Sequence, residues 1–486
     1  MHLGLDIGTS SVKGVLIDSR QKIVHAATAP LSVSRPAPGW WEQAPEDWWK
    51  AANRVVAELA RRKPKAVAAV AGIGLSGQQH GATLLDPGGQ VLRPAILWND
   101  ARAFVECREL EDREPRTRAI AGNIPLAGFT APKLIWVRKH EPEIFAKVAK
   151  VLLPKDYVRL RMTGDYASDL SDSAGTLWLD VGRRAWSDQL LAASDMRPDQ
   201  MPSLHEGTEP TGRLTPAVAK RWGMPLRPVV AGGGGDNAAS ACGIGAVTPG
   251  SAFISIGTSG VLFVSNDRFT PNAARAVHTF CHAVPGTWHQ MGVILSAAAS
   301  LEWLAGILKV PAPKLAAGLG ARPTGPSPTL FLPYLSGERT PVADAQVRAM
   351  FTGLGHETGP KQLTHAVLDG VAFAFRDCLE ALEAAGTVVN RVTAVGGGSG
   401  STFWLRIIAT VLGVPIDLPA AGDFGAAFGA ARLGLIAATG ASFREVCTPP
   451  STVRTIDPDP RVRESYEAQY RRYTQLYPAL KEIHRS

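Results

Sequence analysis

The four residues IGTS occur twice in this chain, at 7–10 within GLDIGTSSVKG and at 256–259 within SAFISIGTSG, about half the chain apart. Short apolar runs flank both copies, which predicts a β-hairpin with a small-residue tip in each half. The downstream segments correspond as well. Residues 24–33 predict a third strand, QAPEDWWKAANRVVAELARR a helix with Pro45 at its start, and VAAVAGIGLS a buried strand. In the second half WHQMGVILS predicts a strand, AAASLEWLAGIL and LTHAVLDGVAFAFRDCLEAL helices, and RVTAVGGGSG a strand ending in glycines. Duplication of one strand-rich unit with its helix accounts for both halves. At 486 residues, 45% of them hydrophobic, the chain also exceeds what one core usually supports. Two α/β domains are therefore expected, 1–247 and 248–486, joined at VTPGS.

The bulk composition removes several function classes. The formal charge of +8 is spread along the chain without a long basic run, so no nucleic-acid partner is expected, whereas a small anionic substrate fits. Five widely spaced cysteines (Cys107, Cys242, Cys281, Cys378, Cys447) contain no CxxC pair, which argues against a disulfide framework or a zinc site and for a reduced, cytoplasmic compartment. The apolar stretches are too short or carry charge, as at Glu302 and Arg432, so no membrane span and no signal peptide are expected. No GxxxxGK[ST] is present, and neither AGGGGD nor VGGGSG is a GxGxxG.

Chemistry concentrates at the strand ends. Gly8, Thr9 and Ser10, with Gly257, Thr258 and Ser259, offer backbone N–H groups and hydroxyls with little bulk, which suits two loops closing on a polyphosphate. A tight turn alone explains one copy less well once there are two. The residue before IGTS is Asp6 in Leu-Asp-Ile but Ser255 in Ile-Ser-Ile, and one carboxylate suits a Mg²⁺ ion that keeps most of its water. In VVAGGGGDNAASACGIG, Asp236 and Asn237 follow four glycines and precede a small-residue helix, where the helix terminus favours an ionised carboxylate able to accept a proton. A helix cap is the plainer alternative. Gln78, Gln79 and His80 follow a buried strand where amides and an imidazole can bind sugar hydroxyls; Trp98, Asn99, Asp100 and Arg102 have a weaker claim. The pairs Trp40–Trp41 and Trp48–Trp49 read as core more than as a sugar platform.

Longer stretches carry a family likeness. GFTAPKLIWVRKH (128–140) and AMFTGLGHETGPKQLTHAVLD (349–369), with SGQQHGATLLD, RPAILWNDAR, LLPKDYVRLRMTGDYASDLSDSAGTLWLD, FLPYLSGERTP and GAAFGAARL, resemble the FGGY carbohydrate kinases over nearly the whole chain. The resemblance implies duplicated actin-like ATPase (ribonuclease H-like) domains with an interdomain catalytic cleft. It implies ATP-dependent phosphorylation of a ketopentose, D-xylulose at its C5 hydroxyl, with ribulose, glycerol or gluconate as alternative substrates. By the same resemblance Asp236 is the base, with Gln79, His80 and Asn237 beside the sugar. Asp6 lies near Mg²⁺, Gly8 to Ser10 and Gly257 to Ser259 form the phosphate loops, and Gly396, Gly397 and Gly398 lie beside the adenosine. Two departures stand out: GSGSTFW follows the glycines where relatives often have a basic residue, and Gln79 stands where some have Met. The resemblance makes a homodimer an assembly to consider, although the segment ESYEAQYRRYTQLYPALKEI is expected to pack on its own domain. A non-catalytic actin-like nucleotide module and a nicotinamide-dependent sugar dehydrogenase are the rival classes.

Overall fold

In the computed structural model, which describes residues 1–420, 422 and 424–484, the first IGTS copy is the tip of a hairpin. β1 (His2–Ile7) pairs antiparallel with β2 (Ser11–Ile17), and the Gly8 N–H donates to the Ser11 carbonyl at 3.0 Å. β3 (Ile23–Pro30) continues the meander, beginning and ending earlier than residues 24–33 predict. On the other side of β1 lies β4 (Gly72–Gly77), parallel to it. Only the second half of VAAVAGIGLS is strand, because Pro64 opens a short helix, Pro64–Ala68, that takes up Val67 and Ala68. β5 (Pro210–Arg213) and β6 (Val229–Ala231) complete the order β5-β6-β4-β1-β2-β3, and β7 (Gly234–Gly235) runs beside the end of β4.

The second half repeats that plan. Its strands are β8 (Ala252–Ile256), β9 (Gly260–Asn266), β10 (His278–Cys281), β11 (Trp288–Ile294), β12 (Val392–Val395), β13 (Ile416–Pro419) and β14 (Thr452–Ile456). They lie in the order β10-β11-β9-β8-β12-β13-β14. β8/β9 and β9/β11 are antiparallel while β8/β12 and β12/β13 are parallel, the same senses as β1/β2, β2/β3, β1/β4 and β4/β6. This is the duplicated ribonuclease H-like arrangement the resemblance implies.

In the first half the helices that bear on the site are α1 (Pro45–Arg62), α2 (Thr130–His140), the one-turn α3 (Leu170–Ser173) and α4 (Asp236–Ile244). α1 buries Trp48, Trp49, Val55, Val56 and Leu59 against β2 and β3, so the second tryptophan pair is core. The second half contributes α5 (Ala298–Leu308), α6 (Pro360–Glu383), α7 (Thr402–Leu412), α8 (Ala426–Thr439) and α9 (Pro460–Tyr473). Tyr466, Tyr470 and Tyr473 of α9 are buried around Phe373, so that segment packs on its own half as expected.

One helix crosses between the halves. α8 comes after β13 in sequence, yet it lies on β1 and β4 of the first sheet and against α4. Glycines make the approach possible. A Cβ on Gly4 would stand 1.9 Å from the Ala427 carbonyl oxygen, one on Gly74 1.8 Å from that of Ala430, and one on Gly429 1.7 Å from that of Ala239. Arg432 of α8 donates to the carbonyls of Cys242 and Gly243 at the C-terminus of α4, where a cation is favoured.

Candidate active site

The strand ends that carry the candidate residues meet at one place. Asp6 of β1 is in register with Ser76 of β4, and Gly234 of β7 is in register with the same Ser76 from the other side. The Cα atoms of Asp6 and Gly234 are therefore two strand spacings, about 10 Å, apart. Asp236 opens α4 two residues later. Across the hairpin Asp6 faces Lys13.

Asp236 is the first helical residue, preceded by Gly235 as N-cap with φ −56° and ψ 155°, so it is not itself the cap. Its Oδ1 accepts from the Asn237 backbone N–H at 2.8 Å and from Asn237 Nδ2 at 3.0 Å, which leaves Oδ2 open to a ligand hydroxyl. Burial raises the Asp236 pKa from its ordinary value and outweighs both hydrogen bonds from Asn237. This corrects the expectation that the helix terminus keeps the carboxylate readily ionised: desolvation is the larger effect.

Gln79 and His80 are brought to the same corner. Gln79 lies against Gly235, whose Cβ would fall 2.6 Å from Gln79 Nε2, and that amide donates to the Ser171 carbonyl at 3.2 Å. His80 has φ 69°, in the left-handed region. Nδ1 lies 2.6 Å from the Gly175 carbonyl and so carries the proton, leaving Nε2 as an acceptor. Burial, and then the nearby Lys133, drive the His80 pKa down to about 3, so the ring is neutral at physiological pH. A neutral acceptor suits a sugar hydroxyl.

The residues that hold these groups in large part escape a reading of the sequence. Lys133 Nζ, fully buried, donates to the His80 carbonyl at 2.9 Å, and Thr130 adds a hydrogen bond to it at 3.1 Å. Both lie on α2, within the first of the resembling stretches. Behind Gly235 the Ser171 hydroxyl accepts the Gly235 N–H at 3.1 Å and donates to Asp169 at 2.5 Å. Asp169 belongs to a wholly buried cluster in which Lys155 Nζ reaches Asp156 at 2.6 Å, Asp169 at 2.8 Å and Asp172 at 3.2 Å. Burial opposes the Lys155 charge, but the three carboxyls outweigh it and hold the ammonium pKa up. Burial pushes the Asp172 carboxyl well above its usual range, against the pull of Lys155. No local spacing in the sequence marks such a cluster.

The two IGTS turns differ in surroundings. In the second, the Gly257 and Thr258 carbonyls accept from Ala298 and Ala297 at the start of α5, at 2.8 and 2.9 Å, the Gly257 N–H donates to the Ser259 carbonyl at 3.1 Å, and the turn lies at the wall of a cavity of about 1440 Å³. Gly257 and Thr258 line that cavity with Trp303, Ala316, Gly397 and Gly398. Ser401, from GSGSTFW, caps α7 and accepts from the Trp404 N–H. In the first turn the Thr9 hydroxyl donates to Gln78 at 2.8 Å and accepts from the Trp98 indole at 3.0 Å, while Gln43 donates to the Thr9 carbonyl. Gly8, Thr9 and Ser10 thus sit in the first sheet, outside the lining of the large cavity, and the Thr9 proton is already engaged. Between the halves a second cavity of about 480 Å³ is lined by Asn237 and Ser240 of α4 and by Ser255, Gly396 and Gly425. Ser255 and Asn237 thus line the same cavity, one from each half.

Asp100 and Arg102 belong to the scaffold. Arg102 holds Asp100 in a two-point ion pair, Asp100 accepts the Trp41 N–H at 2.6 Å, and the Arg102 guanidinium stacks 3.8 Å from the centre of the Trp40 ring. Gln78 likewise serves the first turn through Thr9 and Gln43.

Known proteins share this two-domain architecture. The profile of the FGGY family of carbohydrate kinases, N-terminal domain, matches residues 1–243, and that of the C-terminal domain matches 252–438. The chain is 51% identical over 441 residues to a xylulose kinase of Escherichia coli (strain K12), covering 90% of each chain. It is 47% identical over 487 residues to one of Klebsiella pneumoniae, covering 99% of this chain and all of that one. A crystal structure of a xyloylose kinase from Brucella ovis superimposes with a TM-score of 0.98 at 57% identity, covering 99% of both chains.

Proposed function

The chain belongs to the FGGY family of carbohydrate kinases, and from that premise we propose that it transfers the γ-phosphoryl group of ATP to the C5 hydroxyl of D-xylulose, giving D-xylulose 5-phosphate. The observation that carries the reading is the placement of Asp236: its Oδ1 is held by Asn237, which lines the cavity between the halves, and the preceding Gly235 packs against Gln79, next in sequence to His80. The likeness to xylulose kinases over nearly the whole chain favours that substrate over ribulose, glycerol or gluconate. The glycine runs are phosphate- and substrate-approach segments of a kinase, which removes the dehydrogenase reading.

Phosphoryl transfer needs alignment and charge neutralisation more than a strong base. In the proposed mechanism Asp236 Oδ2 accepts a hydrogen bond from the sugar hydroxyl and takes its proton as the new O–P bond forms. Asn237 fixes the carboxylate through Oδ1. Neutral His80 accepts from a second hydroxyl at Nε2, and Gln79 offers its amide beside Gly235. The amides of the Thr258 turn take the phosphates, with Gly397 and Gly398 beside the adenosine. Gly8, Thr9 and Ser10 approach the phosphates from the first half.

The donor set also fits magnesium. Among the described residues no three His, Cys, Asp or Glu side chains converge to hold an ion by themselves. A cation that arrives on the nucleotide needs only one or two protein carboxylates, and Asp6 is the carboxylate at the β1 strand end. When bound, Mg²⁺ neutralises charge on the transferred phosphate.

Among the described residues no helix is long and apolar enough to cross a membrane; a cytoplasmic location is a proposal that rests on the cysteine spacing in the sequence. A homodimer is a proposal about assembly that light scattering tests. Sugar-dependent ADP release across pentuloses and polyols tests the activity itself.

A further inference from the structure

The large cavity is lined by Gly257 and Thr258, by Trp303 and Ala316, and also by Arg322, Arg406 and Arg454. The same three arginines line an adjoining hollow of about 260 Å³, together with Asp457, Asp459 and Arg461. They come from a loop after residue 320, from α7 and from β14, so three separate segments bring cations to one concavity.

The local carboxylates do not balance them. Asp459 is held at two points by Arg461, at 2.9 and 2.6 Å. Among the described residues none of Arg322, Arg406 and Arg454 forms an ion pair with a carboxylate, although Asp457 and Asp459 lie in the hollow. Arg406 Nε is buried and has no acceptor among them, an unfavourable state for a donor. Burial lowers the Arg406 pKa, and Arg322 and Arg454 lower it further. A bound anion would relieve each of these conditions.

We propose that Arg322, Arg406 and Arg454 form a second anion site, one that takes a phosphate group other than those of the triphosphate. Guanidinium forks match phosphate oxygens in pairs, and three of them suit a dianion better than a carboxylate. The hollow is lined by the arginines but not by Gly257 or Thr258, which sets it apart from the transferred phosphates, placed at the Thr258 turn in the proposed mechanism. The phosphate comes either from a free ion or small ester, or from a nucleotide that carries one on its ribose. Because hollow and cavity share these arginines, occupancy of one alters affinity at the other, and reciprocally.

The test is calorimetric titration of inorganic phosphate into the full chain at constant ionic strength, first without nucleotide or sugar. That arm does not depend on the kinase reading. Saturable binding to the wild type is expected, weakened about tenfold by Arg406→Gln and by Arg454→Gln and lost in the double variant, with circular dichroism showing that each variant is folded. Undetectable binding, or equal affinity in the wild type and the folded variants, overturns the proposal. A second arm repeats the titration with ADP bound and compares ADP with 3′-phospho-ADP. Phosphate that binds alongside ADP identifies a free anion, and tighter binding of 3′-phospho-ADP that the substitutions abolish identifies a nucleotide-borne one. Phosphate displaced by ADP, with no preference for the extra phosphate, places the ion at the Thr258 turn and overturns the second site.

Discussion

The backbone N–H of Gly235 donates to the hydroxyl of Ser171 at 3.1 Å. Through this bond the residue before Asp236 is tied, by way of Asp169, to a charge cluster that solvent does not reach. Ser171→Ala removes the acceptor and leaves a buried N–H without one, a cost of about 1 to 3 kcal/mol. We expect kcat to fall while the dissociation constant for ADP is unchanged. Equal loss of nucleotide affinity, measured by titration, would show that the bond serves the fold at large and not the Asp236 corner.

The acid limb of kcat/KM reports the ionisation of Asp236 in the free enzyme. Its pKa is raised by burial, so activity falls with decreasing pH sooner than it would with an ordinary carboxylate. The hydrogen bonds from Asn237 act in the opposite sense and favour the ionised form. In Asn237→Ala the side-chain bond is lost, the Asp236 pKa rises further and the limb moves to higher pH. A limb that stays put or moves to lower pH contradicts the assignment of Asp236 as base.

Asp6 is proposed as the protein carboxylate nearest the metal. Asp6→Ala should require a higher Mg²⁺ concentration for half-maximal activity, with KM for the sugar little changed. A magnesium titration that superimposes on that of the wild type removes the role.

Gly429 of α8 allows the helix backbone to touch α4, the helix that begins with Asp236. A methyl group there would lie 1.7 Å from the Ala239 carbonyl oxygen, a clash that only a shift of one helix relieves. Overpacking of this kind costs about 1 to 3 kcal/mol or more. Urea unfolding of Gly429→Ala should show at least that loss, and full stability would mean that the two helices are less tightly joined than their contact implies.

Much of the fold and of the site is legible in the chain because the signals are local. The paired IGTS turns, the Pro45 helix and the glycine-bordered strands are each set by neighbouring residues, and duplication gives the turn signal twice. Asp236, Gln79 and His80 stand out as polar groups at strand ends among glycines. The remainder is set by tertiary contact. That α8 lies on the first sheet depends on Gly4, Gly72, Gly74 and Gly434 meeting from distant segments, and the buried Lys155 cluster gathers residues whose charges look like ordinary surface charges in a linear reading. The raised pKa of Asp236 is hidden for the same reason, since helix position is visible in sequence and desolvation is not.

Whether Asp236 serves phosphorylation of D-xylulose is decided by steady-state ADP release from the wild type and from Asp236→Ala, with D-xylulose, ribulose, glycerol and gluconate as acceptors. Wild-type release is expected to depend on D-xylulose and to exceed that with the other three. In Asp236→Ala that release is expected to be lost, with ADP affinity nearly intact. Retention of more than a few per cent of turnover in the variant, or preference of the wild type for another acceptor, would contradict this role.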